Sequence, residues 1–286
     1  MRSVSGIQTV RRILKTARAA GTIAFVPTMG ALHEGHLSLM RKARRECDFL
    51  AVSLFVNPLQ FGPQEDFEIY PRDLAEDRRK ARGEGADLLW TPSVKTLYPS
   101  GFQTTVEVSY VSRLWEGASR PGHFKGVTTV VAKLLQIIQP HRLYLGQKDY
   151  QQTCVIRQMI RDLHFDIRLR ICPTIREKDG LAMSSRNTRL SPAARETASL
   201  LYRALLTARR YALSGERRAK PILQAALAIL ESAPSLKLDY IGLCDAKTLA
   251  PLEVTTSRAV LLAAVQTDGV RLIDNIVLRP RTMMDK

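Results

Sequence analysis

The segment Thr22-Ile-Ala-Phe-Val-Pro-Thr-Met-Gly-Ala-Leu-His-Glu-Gly-His36 decides the fold of this chain. Its first part, residues 22–27, is an apolar run rich in β-branched and aromatic side chains, which predicts a buried strand. Further along, apolar residues recur at helical spacing among polar ones, which predicts a helix over Glu34–Glu46. The sequence therefore predicts a strand, a tight turn and a helix that begins at two histidines.

The two histidines, His33 and His36, are one helical turn apart at the predicted start of that helix. A helix start presents unpaired N–H groups and the positive end of the helix dipole, and both favour an anion. Gly30 and Gly35 allow the backbone to approach a ligand closely. Together these features predict a site for the α-phosphate of a nucleotide.

Other interpretations of the histidine pair are open. A pair of histidines often has a purely structural role. A zinc site of the metalloprotease kind needs histidines four residues apart with Glu after the first. His33 and His36 are three apart, and no cysteine or third histidine lies nearby to complete a tetrahedral set. The glycine-rich fingerprint of dinucleotide-binding proteins does not follow this strand.

The chain has 286 residues and a formal net charge of +16, so one large domain or two smaller ones are possible and an anionic partner is suggested. Its basic residues are spread over many segments and are not interleaved with aromatic residues. This distribution favours a basic surface over a nucleic-acid site, and we expect no nucleic-acid partner. An RNA-binding protein is the alternative that the charge alone supports.

Several features predict a cytoplasmic protein that does not bind a membrane. No apolar run approaches the ~20 residues of a membrane span. The N-terminal residues lack the apolar centre of a signal peptide. The four cysteines are scattered along the chain without a Cys-x-x-Cys pair, as expected for reduced thiols.

Strands and helices alternate over the first part of the chain, which predicts an α/β fold with a parallel sheet covered on both faces. The predicted helices cover 7–20, 34–46, 73–82, 126–138 and 150–163, and the predicted strands cover 22–27, 49–56, 87–91, 143–145 and 167–172. After a polar, turn-rich segment, two helices (192–213 and 217–232) precede three strands (239–244, 259–265 and 271–278). Asp268-Gly269 predicts a hairpin between the last two strands. We therefore predict one domain over residues 1–175 and a smaller α+β domain over residues 176–286.

Four further polar clusters follow predicted strands or stand beside a predicted helix. They are Phe55-Val-Asn-Pro-Leu-Gln-Phe61, Pro121-Gly-His-Phe-Lys-Gly126, Gly146-Gln-Lys-Asp-Tyr-Gln-Gln152 and Met183-Ser-Ser-Arg-Asn187. Ligands of open parallel sheets bind beyond the carboxyl ends of the strands, so these clusters are candidate binding segments. Taken singly, each is also explained as an ordinary turn, cap or linker.

The side chains of these clusters suit a nucleotide and a small hydroxy acid. Asn57, Gln60 and Gln152 are neutral amides that can bind hydroxyls and a carboxylate. Lys148 can neutralise a phosphate, and the neighbouring Asp149 can accept hydrogen bonds from ribose hydroxyls. In the last cluster, small hydroxyls beside Arg186 are typical of a mobile loop that closes on a triphosphate. His123 and Lys125, in the cluster before the helix at 126, can reach an anion or belong to a simple turn.

The order and spacing of these motifs resemble the pantoate–β-alanine ligase family. The matching stretches are 27–36, 55–61, 70–72, 116–126, 146–152, 179–187 and 272–275. The stretch 27–36 and the Met183–Asn187 motif correspond to the two signatures of the wider superfamily of nucleotidyltransferases and class I tRNA synthetases. A loop centred on Arg186 here replaces the usual lysine-containing one. The alternative is another member of that superfamily, such as a small nucleotidyltransferase.

The resemblance implies a Rossmann-like domain that binds ATP and pantoate, with the smaller C-terminal domain as a lid. It further implies a homodimer, Mg²⁺ on the ATP phosphates, and a pantoyl-adenylate intermediate to which β-alanine is joined. Its ATP contacts map onto Met29, Gly30, Ala31, Leu32, His33, Glu34, Gly35, His36, Gly146, Gln147, Lys148, Asp149, Ile175, Met183, Ser184, Ser185 and Arg186.

The resemblance also assigns the acid site and the catalytic histidine. Pantoate contacts map onto Gln60 and Gln152, with Gln60 also near β-alanine, and the catalytic histidine maps onto His36. Gln147 departs from the family pattern, in which many relatives carry Glu. From their charge and donors, His33, His36, Lys148 and Arg186 are the candidates for stabilising the transferring phosphate. Glu76 and Asp77 are either metal-binding residues or part of a charged helix face.

Overall fold

In the computed structural model, which describes residues 1–63, 65–255 and 258–278, six strands form a parallel sheet. The strands are β1 Arg2–Val4, β2 Ile23–Thr28, β3 Phe49–Leu54, β4 Leu88–Trp90, β5 Arg142–Gly146 and β6 Arg168–Cys172, in the order β1-β4-β3-β2-β5-β6. Every neighbouring pair in this sheet is parallel. The predicted α/β class is therefore confirmed.

Among the described residues, one helix follows each of β1, β2, β3 and β5 in the chain, and three helices follow β4. They are α1 Ile7–Ala20, α2 Glu34–Glu46, α3 Leu74–Gly83, α4 Val94–Leu97, α5 Glu116–Ser119, α6 His123–Ile138 and α7 Tyr150–Asp162. Two 3-10 turns, Pro58–Gln60 and Gln147–Asp149, follow β3 and β5. Because the strands are parallel, the segments after β2, β3 and β5 all leave the same edge of the sheet.

Strand β2 is buried on both faces, as expected in the middle of a parallel sheet. Its side chains from Ile23 to Val26 are fully inaccessible to solvent. Ala24 and Val26 share a core cluster with Met40 of α2 and Leu50 of β3. This packing fixes the direction in which the chain leaves β2 toward the two histidines.

Before residue 175, the structure differs from the sequence-based expectation at strand β1, at the short helices α4 and α5, which were not predicted, and at the start of helix α6. The edge strand β1 was not predicted, because it has three residues and no buried side chain to produce a pattern. Helix α6 begins at His123 and not at residue 126, so His123 and Lys125 lie in its first turn. Gly122 adopts a left-handed conformation with φ 84° immediately before it, which lets the chain turn directly into the helix.

A three-stranded antiparallel sheet and two helices form a second core. The strands β7 Lys237–Asp245, β8 Ala259–Thr267 and β9 Val270–Leu278 are neighbours in that order, and α8 Pro192–Leu213 and α9 Ala219–Leu230 precede them. Asp268 and Gly269 have φ values of 53° and 69°, as a two-residue type I′ hairpin requires, so the predicted hairpin is confirmed. An alanine-rich face of α8 packs in the same core as β8.

The chain separates into two compact units. The first contains residues 1–112, 120–147 and 152–174, and the second contains residues 113–119, 148–151 and the described residues from 175 onward. The predicted assignment of 1–175 as the ATP- and pantoate-binding domain and 176–286 as a lid stays a prediction. None of the helices in residues 1–63, 65–255 and 258–278 combines the length and the apolar composition that a membrane span requires.

Two short segments belong to the second unit through specific contacts. The indole N–H of Trp115 donates to the Leu249 carbonyl at 2.8 Å, and its ring lies where a β-carbon on Gly242 would be. The amide of Asn275 donates to the Lys148 carbonyl at 2.9 Å. Long-range hydrogen bonds therefore attach both segments to residues after 175, and no local sequence pattern indicates this.

Gly126 lies inside helix α6, where alanine would favour the helix more than glycine but would not fit against the neighbouring backbone. A β-carbon there would overlap the backbone carbonyl of Leu59. We expect Gly126→Ala to lower the free energy of unfolding by roughly 1–3 kcal/mol, because the backbone of the 3-10 turn has to move. Urea denaturation of the folded protein measures this change.

Gly83 supplies the matched control for this substitution. A β-carbon at this last residue of α3 meets nothing within 4 Å. Gly83→Ala should therefore leave stability unchanged or raise it by up to ~1 kcal/mol, through lower chain entropy in the unfolded state. Equal effects of the two substitutions would contradict the packing argument.

Candidate active site

The turn between β2 and α2 brings both histidines to the helix start. His33 is the N-cap residue of α2, and its Nδ1 accepts the N–H of Gly35 at 3.1 Å. The Nδ1 of His36 accepts the N–H of His33 at 3.3 Å, which completes a reciprocal capping box. The predicted position of the pair at the start of the helix is confirmed.

These hydrogen bonds define the tautomer of both rings. A nitrogen that accepts an N–H carries no hydrogen, so Nε2 is the protonated nitrogen in each neutral imidazole. The two ring centroids lie 4.1 Å apart, which places the rings side by side at the same helix start. The pair therefore offers hydrogen-bond donors where the helix dipole is positive.

Asp77 contacts the turn from α3. This carboxylate is 3% exposed and accepts the N–H groups of Ala31 at 2.9 Å and Leu32 at 2.7 Å. Burial raises the pKa of the Asp77 carboxyl, an effect that the two N–H bonds oppose. Glu76, its neighbour, pairs with Arg79 at 2.6 Å. Asp77 is thus a buried loop contact, whereas Glu76 belongs to a charged helix face.

The side chains that the structure describes do not form a protein-built metal site. Among residues 1–63, 65–255 and 258–278, no group of three or more His, Cys, Asp and Glu side chains is placed to hold a metal ion. Both oxygens of Asp77 already accept backbone N–H groups. Glu34, in the histidine motif, pairs with Arg41 along α2.

The predicted amides Asn57 and Gln60 lie together in the 3-10 turn after β3. Asn57 is 1% exposed, and its amide donates to the Gly126 carbonyl at 3.1 Å and to the Gln60 side chain at 3.2 Å. Its oxygen accepts the hydroxyl of Tyr98 at 2.8 Å. Burial raises the pKa of Tyr98, so this hydroxyl remains a donor. Asn57 therefore holds the turn that carries Gln60.

The backbone of Gln60 is fixed from α6 as well. Its carbonyl accepts from Nδ1 of His123 at 2.8 Å and from the Arg120 guanidinium at 3.2 Å. Arg120 in turn donates through Nε to Glu65 at 2.7 Å. The side-chain amide of Gln60 donates to the Met29 sulfur at 2.9 Å, so two of the predicted site residues touch. His123 thus supports the amide turn.

The cluster after β5 is a 3-10 turn that leads into α7. Gly146 ends the strand, and Gln147, Lys148 and Asp149 form the turn. The Lys148 ammonium lies 3.3 Å from the Asp149 carboxylate. Gln152 is half-buried in the first turn of α7. These residues occupy the strand-to-helix junction that the sequence predicts for them.

In the second unit, the segment around Arg186 is a 3-10 turn over Ser185–Arg189. Ser184 caps this turn by accepting the N–H of Arg186 at 3.3 Å. Asn187 is buried and donates to the Ala182 carbonyl at 3.1 Å and to Glu177 at 2.6 Å. The N–H of Met183 donates to the Ile175 carbonyl at 3.0 Å, which joins the two ends of the segment.

Glu177 and Asp179 anchor the same segment to α8 through Arg195. Arg195 donates to Glu177 at 2.5 Å and to Asp179 at 2.9 Å. Burial opposes ionisation of Glu177, but the hydrogen bonds from Arg195 and Asn187 hold the pKa of Glu177 below its usual value. The turn that carries Arg186 is therefore supported at its base.

Some residues with structural roles near the predicted sites were not singled out from the sequence, although Gln151 and Arg120 lie within the stretches 146–152 and 116–126. Gln151 accepts the Glu116 N–H at 2.9 Å and donates to the Leu114 carbonyl at 2.7 Å. Tyr98 and Arg120 support the amide turn, as described above. The donor and acceptor residues of these hydrogen bonds are more than 30 residues apart in the chain. Only a comparison with a known structure could therefore have identified these contacts.

Comparison with known proteins gives the family. The model of the pantoate-beta-alanine ligase family matches residues 2–277. The chain is 50% identical to the pantothenate synthetase of Moorella thermoacetica over 279 residues, 97% of this chain and 99% of that protein. It is 48% identical to the pantothenate synthetase of Geobacter sulfurreducens over 279 residues, with the same shares covered.

Solved structures agree over nearly the whole chain. The pantothenate synthetase of Thermus thermophilus superposes with a TM-score of 0.94 at 47% identity, covering 98% of this chain and 100% of that one. The pantoate-beta-alanine ligase of Francisella tularensis, complexed with beta-gamma ATP and beta-alanine, has a TM-score of 0.79 at 35% identity, covering 97% of each chain. On this agreement of sequence, fold and motif order, the chain belongs to the pantoate–β-alanine ligase family.

Proposed function

We propose that the protein joins pantoate to β-alanine with ATP, through a pantoyl adenylate, and that the histidine-capped start of α2 binds the reacting phosphate. The match to the ligase family over residues 2–277 carries the reaction. The capping box of His33 and His36 supports the phosphate site, because it fixes two ring donors at a helix start. The reaction has two steps, and each makes a different demand on the protein.

In the first step, the pantoate carboxylate attacks the α-phosphorus of ATP and pyrophosphate leaves. A carboxylate with a pKa near ~4 is ionised at neutral pH, so this step needs no general base. It needs stabilisation of the charge on the transferring group and on the leaving pyrophosphate. We assign this role to His33, His36, Lys148 and Arg186.

In the second step, the amine of β-alanine attacks the acyl carbon and AMP leaves. The amine must lose a proton as the amide forms. With Nδ1 accepting a backbone N–H, the Nε2 of His36 is arranged as a donor toward the phosphate. We therefore assign His36 to the phosphate and assign no residue as the proton acceptor.

Gln60 and Gln152 are the proposed pantoate ligands, and Asn57 acts through Gln60. Neutral amides suit the hydroxyls and the single carboxylate of pantoate, since each amide both donates and accepts. The network that fixes Gln60 from Asn57 and His123 supports this assignment, because a preorganised amide loses little freedom on binding. Gln60 also borders the β-alanine position in this proposal.

The remaining proposals concern the metal, the assembly and the cell compartment. We propose that Mg²⁺ enters bound to the ATP phosphates, which agrees with the lack of a metal-binding group among the described side chains. We also propose a cytoplasmic homodimer, on the family resemblance. Sedimentation of the purified protein tests the dimer.

The adenylate intermediate is tested by isotope exchange. Labelled pyrophosphate should enter ATP when pantoate is present and β-alanine is absent, because the first step alone is reversible. His36→Ala should reduce this exchange by ~10²-fold or more, as expected when a donor to developing charge is removed. Omission of pantoate is the control. Exchange that strictly requires β-alanine would rule out the mechanism as written.

The amide assignment is tested at Gln60 and Gln152. Gln→Ala at either position should weaken pantoate recognition, seen in KM or turnover, by roughly 1–3 kcal/mol, because a polar partner of the substrate is lost. ATP binding should change little. Gln158→Ala is the matched control, because this amide lies further along α7 and bonds Asp162 at 2.7 Å. Normal pantoate kinetics with weakened ATP binding would reverse the assignment.

The lid role proposed for the C-terminal residues is tested at Arg186. ATP should protect residues 180–190 from protease in the parent protein, because the phosphates draw Arg186 inward and slow local opening. Arg186→Ala should lose both this protection and turnover. Arg189→Ala, in the same 3-10 turn, should keep both. Equal protection with and without ATP would make Arg186 a fixed structural cation.

A further inference from the structure

The turn before the histidine pair has an unusual backbone. Gly30 and Ala31 both have positive φ, 90° and 49°. Glycine tolerates this region, but alanine is strained there and needs surrounding contacts to keep it. Two residues later, His33 caps α2. The strained turn therefore lies immediately before the residues proposed to bind the phosphate.

Helix α3 supplies the contacts that hold this turn. The two Asp77 oxygens accept the N–H groups of Ala31 and Leu32, and the Lys80 ammonium donates to the Leu32 carbonyl at 2.6 Å. Asp77 and Lys80 are three residues apart, so they project from the same face of α3. Both peptide groups that flank Leu32 are thus fixed from the same helix.

Gly30 is required by this contact as much as by its conformation. A β-carbon at Gly30 would lie 2.9 Å from Oδ2 of Asp77, closer than such atoms pack in proteins. The missing β-carbon at Gly30 therefore leaves room for the Asp77 carboxylate. The N–H groups of Ala31 and Leu32 point to Asp77, so they are not donors to a phosphate.

The geometry points to Asp77 as a positioning residue for the histidine pair: by holding the Gly30–Leu32 turn it sets the place and orientation of His33 and His36. The inference rests on the proposed function only for its catalytic consequence. The link is short, because the fixed Leu32 peptide is followed directly by His33, whose N–H donates to His36. Displacement of this peptide would disturb both capping bonds.

Asp77→Asn in the full-length protein tests the inference. Asparagine keeps the size and one acceptor oxygen but presents an amide hydrogen to one of the two backbone donors. In the parent, long-range ¹H–¹⁵N spectra of the imidazoles should show the Nε2–H tautomer for His33 and His36. In the variant, both should become tautomer mixtures, while urea unfolding still shows a cooperatively folded protein.

The catalytic consequence is measured by pantoate-dependent pyrophosphate exchange. We expect the exchange turnover of Asp77→Asn to fall about 10- to 100-fold, since small displacements of positioned groups have effects of this size. The KM for pantoate and the Mg²⁺ concentration for half-maximal rate should stay as in the parent. Asp162→Asn, the same change on an exposed residue of α7, should leave all these readouts unchanged.

Each outcome decides the question. Parent-like tautomers in folded Asp77→Asn would overturn the inference, and so would a raised Mg²⁺ requirement with normal turnover at saturating Mg²⁺. If Asp77→Asn does not fold, Asp77→Glu keeps the charge but moves both acceptor oxygens by one methylene, and unchanged tautomers and turnover there overturn it. If the proposed function is wrong, the parent protein itself shows no pantoate-dependent pyrophosphate exchange. The comparison of histidine tautomers between the parent and Asp77→Asn still tests the role of Asp77 in that case.

Discussion

The carboxylate of Asp77, bonded to two N–H groups of the turn after β2, is the contact on which the proposed phosphate site depends. A buried carboxylate is costly unless its oxygens are satisfied, and here backbone donors satisfy them. The same bonds keep Gly30 and Ala31 in the left-handed region. The chain then enters α2 with His33 as its cap, so the helix start and its ring donors follow from one buried polar contact.

A second polar network fixes the proposed acid site by the same principle. Asn57, Tyr98, Arg120 and His123 all direct hydrogen bonds toward the turn that carries Gln60. The close approach of that turn to α6 requires Gly126, where a side chain would overlap the Leu59 carbonyl. Fully satisfied networks of this kind are rigid, which suits recognition of a small, polar acid.

The charges of the residues that we propose for the two substrates match the order of the chemistry. Pantoate enters as a carboxylate, and the first step makes more negative charge on phosphate. Neutral amides at Gln60 and Gln152 suit the nucleophile, since a fixed cation would lower its reactivity. Cations and ring donors are instead assigned to the phosphates, at His33, His36, Lys148 and Arg186. A net charge of +16 is compatible with anionic substrates such as ATP and the acid.

The sequence by itself determined the elements whose signals are local: helix α2 from Glu34, the parallel sheet built from apolar strands, and the hairpin at Asp268. It also placed the motifs of residues 27–36, 55–61 and 146–152 at strand ends, because an apolar run and the polar residues that follow it are adjacent in the chain. Only the tertiary structure decided that Asp77 reaches a turn 45 residues earlier and that Glu116 pairs with Arg271 across 155 residues. Such contacts depend on which helix faces which turn, and a periodic pattern within one segment holds no information about that choice. The start of α6 at His123 was missed for the same reason, since His123 contacts the distant backbone of Gln60, whereas the edge strand β1 was missed because its three residues carry no buried side chain.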